Sequence, residues 1–137
     1  MVSNNLPIFV LDSFAVLALL ENEKGAVRVQ NILKLAQSGE AQVYLSIINV
    51  GEILYITERE RGLPLAQKTL ATLEQLPLEI LPATRERVFA AAHIKANYPV
   101  AYADAFAIAA AQEFEATVIT SDPEFQAVET LIAVEWI

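Results

Sequence analysis

Of the 17 acidic residues in this 137-residue chain only three are aspartates, and their placement is not scattered. Asp12 ends the apolar run Pro7-Ile8-Phe9-Val10-Leu11, and Asp122 follows Ala116-Thr117-Val118-Ile119-Thr120 after a single intervening Ser121. Apolar runs of this length read as strands buried on both faces. In open parallel sheets, ligands bind in the crevice outside the strand ends. Asp104 stands near the start of an Ala-rich helical segment behind the break Tyr98-Pro99, where a loop would aim it at the same edge. Singly, each has a plain local reading: helix caps for Asp12 and Asp104, a turn residue before Pro123 for Asp122. Together, the position of every aspartate in the chain points to one site.

Glu52 adds a fourth carboxylate. It lies in Ile47-Ile48-Asn49-Val50-Gly51-Glu52-Ile53-Leu54-Tyr55-Ile56, a segment apolar nearly all round and expected to be buried. A buried carboxylate costs several kcal/mol unless it is paired, hydrogen-bonded or metal-bound. A salt bridge to Arg59, seven residues on, is the structural alternative. Carboxylates without cysteine or a second histidine suit Mg²⁺ or Mn²⁺, which take oxygen ligands. Two such ions about 4 Å apart can activate a water and stabilise the leaving oxygen in phosphodiester cleavage. The single histidine, His93, excludes histidine pairs and multi-histidine zinc sites and reads as structural.

The elements that must hold these acids alternate. Strands are expected at Pro7 to Leu11, Gln42 to Ser46, Leu78 to Leu81, Ala116 to Thr120 and Ala133 to Trp136. Helices are expected at Phe14 to Leu20, capped by Asp12 or Ser13, and at Ala26 to Gln37, closed by Gly39. Three more run from Ile47 to Arg61, stopped by Gly62, from Leu65 to Leu76, opened by Leu63-Pro64, and from the Thr84 cap to about Asn97. The last is Tyr102 to Phe114. Alternating strands and helices imply an α/β fold, a parallel sheet covered on both faces. No linker, repeat or composition shift divides residues 1–137, so one domain is expected.

Composition sets further bounds. Hydrophobic residues make up 55% and charged residues 19%, with four glycines, six prolines and no cysteine, so disorder and disulfides are excluded. No apolar run reaches the ~18 residues of a membrane span. Met1-Val2-Ser3-Asn4-Asn5 lacks the basic region of a signal peptide, and a cytoplasmic protein is expected. The net charge of −8 argues against nucleic-acid binding by basic residues alone, since such affinity comes from Lys and Arg on phosphates. Arg59, Arg61, Arg85, Arg87 and Lys95 read as solvated helix faces interleaved with Glu58, Glu60 and Glu86 rather than as phosphate contacts. The mean hydropathy of +0.40 suggests apolar surface for a partner. The helices Phe14 to Leu20 and Ile47 to Ile56 are candidates for it.

With the four acids in hand, the chain resembles a PIN domain, specifically the toxins of VapBC toxin–antitoxin pairs. The resemblance rests on Val10-Leu11-Asp12-Ser13, Ser46-Ile47-Ile48-Asn49-Val50-Gly51-Glu52, Tyr102-Ala103-Asp104-Ala105 with Ile108-Ala109-Ala110-Ala111, and Val118-Ile119-Thr120-Ser121-Asp122 with Phe125. It spans essentially the whole chain. It implies a three-layer α/β/α PIN-like domain with a parallel sheet of about five strands and a Mg²⁺ or Mn²⁺ site at the strand ends. Asp12, Glu52 and Asp104 match the acids found across the family, Asp122 the more variable fourth. Ser13 and Thr120 match supporting hydroxyls, for which an ordinary cap or strand-end role is the alternative. The implied activity is metal-dependent endoribonuclease cleavage of RNA, with a small antitoxin and a homodimer as partners. The alternative is a non-catalytic PIN-like module that binds RNA or protein. A phosphatase with a nucleophilic aspartate would need a second Asp at position 14, where Phe14 stands. A phospho-accepting receiver would need a lysine on a late strand, and no Lys or Arg follows Lys95.

Overall fold

The structure is a computed structural model and describes residues 5–137, so most of the N-terminal segment read above for a signal peptide lies outside the described residues. Five strands, β1 (Ile8–Leu11), β2 (Gln42–Ser46), β3 (Glu79–Leu81), β4 (Thr117–Thr120) and β5 (Ala133–Trp136), form one sheet in the order β3-β2-β1-β4-β5. All four pairings are parallel. Six helices connect them: α1 (Ser13–Leu20), α2 (Ala26–Gln37), α3 (Ile47–Arg61), α4 (Leu63–Gln75), α5 (Arg85–Asn97) and α6 (Tyr102–Phe114).

The continuous apolar strands follow from burial on both faces. Phe9 and Leu11 of β1 pack with Val43, Leu45 and Ile119 against α1 to α4. Val10, one residue out of phase, packs with Val118 against α5 and α6. The result is the expected three-layer α/β/α arrangement. The alanines of α6 let it lie close to both sheet and neighbour: Ala105 through Ala111 are all buried.

Local signals set the ends. Asp12 caps α1 by accepting from the Ala15 amide at 2.8 Å, and Ser46 and Thr84 cap α3 and α5 in the same way. Gly62, at φ +95°, ends α3 and begins α4, with Pro64 in the first turn. Element boundaries differ from the sequence reading by at most two residues. One element was not anticipated, a short 3-10 turn at Pro123–Val128 capped by the Asp122 side chain.

Because sequential strands run outward from β1 on one side and from β4 on the other, the order of connection reverses between them. The crevice outside the C-terminal ends of these two strands is where an open parallel sheet places its ligands. Leu11 pairs with Ile119, so Asp12 leaves β1 level with Thr120 at the end of β4.

Candidate active site

Asp12 is fully buried. One carboxylate oxygen accepts from the Ala15 amide at 2.8 Å, and the other accepts from the Thr120 hydroxyl. Burial pushes its pKa up to about 7; the Thr120 and Ala15 hydrogen bonds pull it down, and Asp122 and Glu52 push it up. Asp12 is thus the cap of α1 through one oxygen, and each oxygen keeps a second lone pair. Thr120 is equally buried and also accepts from the Asp122 amide at 2.9 Å. Its single hydroxyl thus couples the ends of β1 and β4.

Asp122 is partly buried and accepts from the Glu124 amide at 2.9 Å, which starts the 3-10 turn. Phe125 and Val128, both fully buried, pin that turn to the core. Asp104 is not a cap: Ala101 holds that position, and Asp104 lies in the first turn of α6 with only 3% of its surface exposed. Its pKa is raised to about 8, first by burial and then by Asp122, by a hydrogen bond with Glu124, and by Asp12 and Glu52. Carboxylate oxygens of Asp104, Asp122 and Glu124 lie within 4.8 Å of one another.

Glu124 escaped the sequence reading. Its other engagement is with the Ala101 amide, at 2.9 Å from Oε1, so it joins the 3-10 turn to the start of α6. The signal was present in Asp122-Pro123-Glu124, a capping residue, a proline and an acid at the start of a turn.

Glu52 corrects an expectation: it is half-buried, not buried. Helix α3 turns Asn49, Val50 and Ile53 inward while Gly51 and Tyr55 are exposed, leaving Glu52 at the boundary. Its partner is not Arg59, whose guanidinium lies over the Tyr55 ring, but the Ser13 hydroxyl, which donates to Oε1 at 2.5 Å. Asn49, also missed in the sequence, donates from Nδ2 to Ser13 Oγ at 3.1 Å and to the Ala103 carbonyl at 3.2 Å.

The five basic side chains singled out in the sequence are engaged elsewhere. Arg61 pairs with Glu21 and Arg87 with Glu113, Arg85 lies over Phe89, and Lys95 donates to the Val100 carbonyl at 2.8 Å. His93 is exposed on α5. Among the described residues, no Lys, Arg or His forms an ion pair with Asp12, Glu52, Asp104, Asp122 or Glu124.

The donor set fits a hard divalent cation. It consists of oxygen atoms alone, three carboxylates already converge, and burial first, then neighbouring acids, raises the pKa values of Asp12 and Asp104.

A family profile described as PIN domain matches residues 9–131. No curated protein matches the chain. Among solved structures, VapBC2 from Rickettsia felis, bound to a DNA fragment of its promoter, superposes with a TM-score of 0.71 at 18% identity, over 94% of this chain and 98% of that one. A toxin–antitoxin complex from Klebsiella pneumoniae gives 0.65 at 17%, over 92% and 94%. VapC20 of Mycobacterium tuberculosis, a toxin that cleaves the sarcin–ricin loop, gives 0.67 at 18%, over 88% and 94%. At these identities the likeness is one of fold.

Proposed function

The chain belongs to the PIN domain family, and from that premise we propose that it is a Mg²⁺- or Mn²⁺-dependent endoribonuclease, the toxin of a type II toxin–antitoxin pair. The observation that carries the reading is the convergence of Asp104, Asp122 and Glu124 oxygens within 4.8 Å, beside a buried Asp12 and with no basic side chain to neutralise them. Asp12, Glu52, Asp104 and Asp122 are the residues assigned to hold the cation, and Glu124 is close enough to Asp104 and Asp122 to join those two. All of residues 1–137 are read as one PIN domain.

A bound divalent cation would draw in the scissile phosphate and lower the pKa of a water positioned for in-line attack. The chain's own residues supply position and charge. Thr120 holds Asp12 and the backbone of Asp122 in one register, so the two strand-end acids cannot drift apart. Ser13, in the first turn of α1, donates to Glu52 and holds its carboxylate. Asp104, buried and hydrogen-bonded to Glu124, has its pKa raised to about 8, and its proton must leave before it can serve as a ligand. The reaction needs no protein nucleophile, consistent with a chain that lacks cysteine.

The antitoxin is a further proposal, drawn from the toxin–antitoxin complex among the structural relatives. A groove of about 210 Å³ between α1, α3 and α4 is lined by Leu17, Leu20, Ile56 and Leu65 together with Glu21, Glu60, Arg61 and Lys68. It would take an apolar segment, the charges of its lining being mixed. A homodimer is proposed on the family resemblance alone. Among the described residues no helix is long and apolar enough to cross a membrane, and a cytoplasmic location is the reading that suits a ribonuclease.

The test is cleavage of a mixed RNA pool by purified protein with Mn²⁺ or Mg²⁺, beside EDTA and the Asp104→Asn variant. Cutting that needs the metal and falls at least about 100-fold in the variant supports the nuclease, since a ligand should matter no less than the 10–100-fold of a residue behind it. RNA binding with no cleavage on any RNA favours the non-catalytic module.

A further inference from the structure

We propose that Asn49 is the positioning residue of this site, setting the Ser13 hydroxyl that holds Glu52 and tying α3 to the first turn of α6; this rests on reading the acids as a metal centre. Asn49 is fully buried. It lies three residues before Glu52, on the same side of α3. Both hydrogens of its Nδ2 are used, one toward Ser13 Oγ at 3.1 Å and one toward the Ala103 carbonyl at 3.2 Å. Ala103 immediately precedes Asp104. One amide therefore touches the element after Asp12, the element that bears Glu52 and the element that bears Asp104.

The direction of the chain of bonds follows from counting protons. A carbonyl oxygen only accepts, so the Ala103 contact requires the nitrogen of Asn49 on that side and fixes the amide orientation. Ser13 Oγ has one proton and receives one from Asn49. Its own proton therefore goes to Glu52 Oε1, 2.5 Å away, in preference to the Asn49 backbone carbonyl at 3.4 Å. Without the amide, the Ser13 hydroxyl is free to rotate, and Glu52 loses an oriented donor.

Packing does not account for the residue. Asn49 Oδ1 is the one buried side-chain polar atom without a partner among the described residues. An unsatisfied buried acceptor is unfavourable, and an apolar side chain of similar size would fill the space without that penalty. What an apolar residue would not supply is the two donated bonds.

The experiment is calorimetric titration of Mn²⁺ into the wild-type chain, Asn49→Leu, Ser13→Ala and the double variant, with circular dichroism and EDTA melting curves on each. Asn49→Leu is expected to weaken Mn²⁺ binding by about 10–100-fold, the range found for residues behind metal ligands, while its fold is kept. Ser13→Ala is expected to weaken it as well, and the double variant by less than the product of the two factors, because both act through Glu52. A folded Asn49→Leu that binds Mn²⁺ like wild type overturns the proposal, as do multiplicative effects in the double variant. Should Asn49→Leu not fold, unchanged affinity in Ser13→Ala overturns it instead. A wild-type chain that takes up no Mn²⁺ sinks the metal-centre reading itself, and the inference with it.

Discussion

At the scale of single residues, the candidate site is a set of carboxylates crowded together, with no basic side chain paired to them among the described residues. Asp12 and Asp104 pay for burial with pKa values raised from 3.8 to about 7 and about 8. The folded chain thus binds these two protons more tightly than the unfolded chain does. Their contribution to stability is full below about pH 4 and is lost progressively as pH rises from there through the folded values of about 7 and about 8. In EDTA the melting temperature is expected to fall between about pH 6 and about pH 9, a range in which ordinary carboxylates no longer titrate. Saturating Mn²⁺ should reverse that slope, because the cation binds the deprotonated form. A melting temperature in EDTA that rises over this range would contradict the burial argument. Thr120 offers a second test. Thr120→Val keeps the shape but strips a donor from Asp12 and an acceptor from the Asp122 amide. A loss of about 1–3 kcal/mol in denaturant unfolding is expected, together with weaker Mn²⁺ binding; a change in neither would remove Thr120 from the site.

At the scale of elements, two glycines separate local backbone need from local packing. Gly25 caps α2 at φ +94°, and a Cβ there would meet the Ile137 side chain at 2.8 Å. The amide of Ile137 in turn donates to the Thr120 carbonyl at 3.0 Å, so the clash would press on the strand end that carries the site. Gly51 lies on the exposed side of α3, next to Glu52, and a Cβ there meets nothing within 4 Å. The same substitution should therefore act in opposite directions. Gly25→Ala is expected to destabilise by at least about 1 kcal/mol, and Gly51→Ala to stabilise by about 0.5–1 kcal/mol. Chemical denaturation of the two variants decides it, and equal signs would refute the account. The 3-10 turn makes a related point about elements. Six residues suffice to bring Glu124 to Asp104, because Phe125 and Val128 anchor the turn from below.

At the scale of the whole molecule, the net charge is −8 and β4, β5 and α6 carry no Lys or Arg of their own, while the arginines beside them, Arg28 and Arg87, are paired with Glu135 and Glu113. On the proposed function, RNA would reach the acids only with a cation between phosphate and carboxylate. Binding of a single-stranded RNA by a cleavage-deficient variant is therefore expected to be negligible in EDTA at about 0.15 M salt and to appear with divalent cation, read by fluorescence anisotropy. Tight binding in EDTA would point to a surface that this charge distribution does not offer. How much of all this was legible in the sequence differs by kind of signal. Periodicity and apolar runs announced the strands and helices, because burial on both faces leaves a mark on every residue of a strand. Caps and glycines placed the helix ends, because those are contests among near neighbours. The strand-end aspartates stood out because an acid directly after an apolar run is conspicuous. The exposure of Glu52, its bond to Ser13 in place of Arg59, the entry of Glu124 and the bridging by Asn49 were not legible in the same way. Each depends on residues 23 to 54 positions apart meeting in space; Asp122-Pro123-Glu124 signals a turn, but the sequence of one chain does not mark which distant residues meet. Chain order alone determined the elements and which acids they bear. Tertiary packing, by choosing the β1–β4 junction as the place where the connections reverse, decided which of those acids share one crevice and which side chains hold them there.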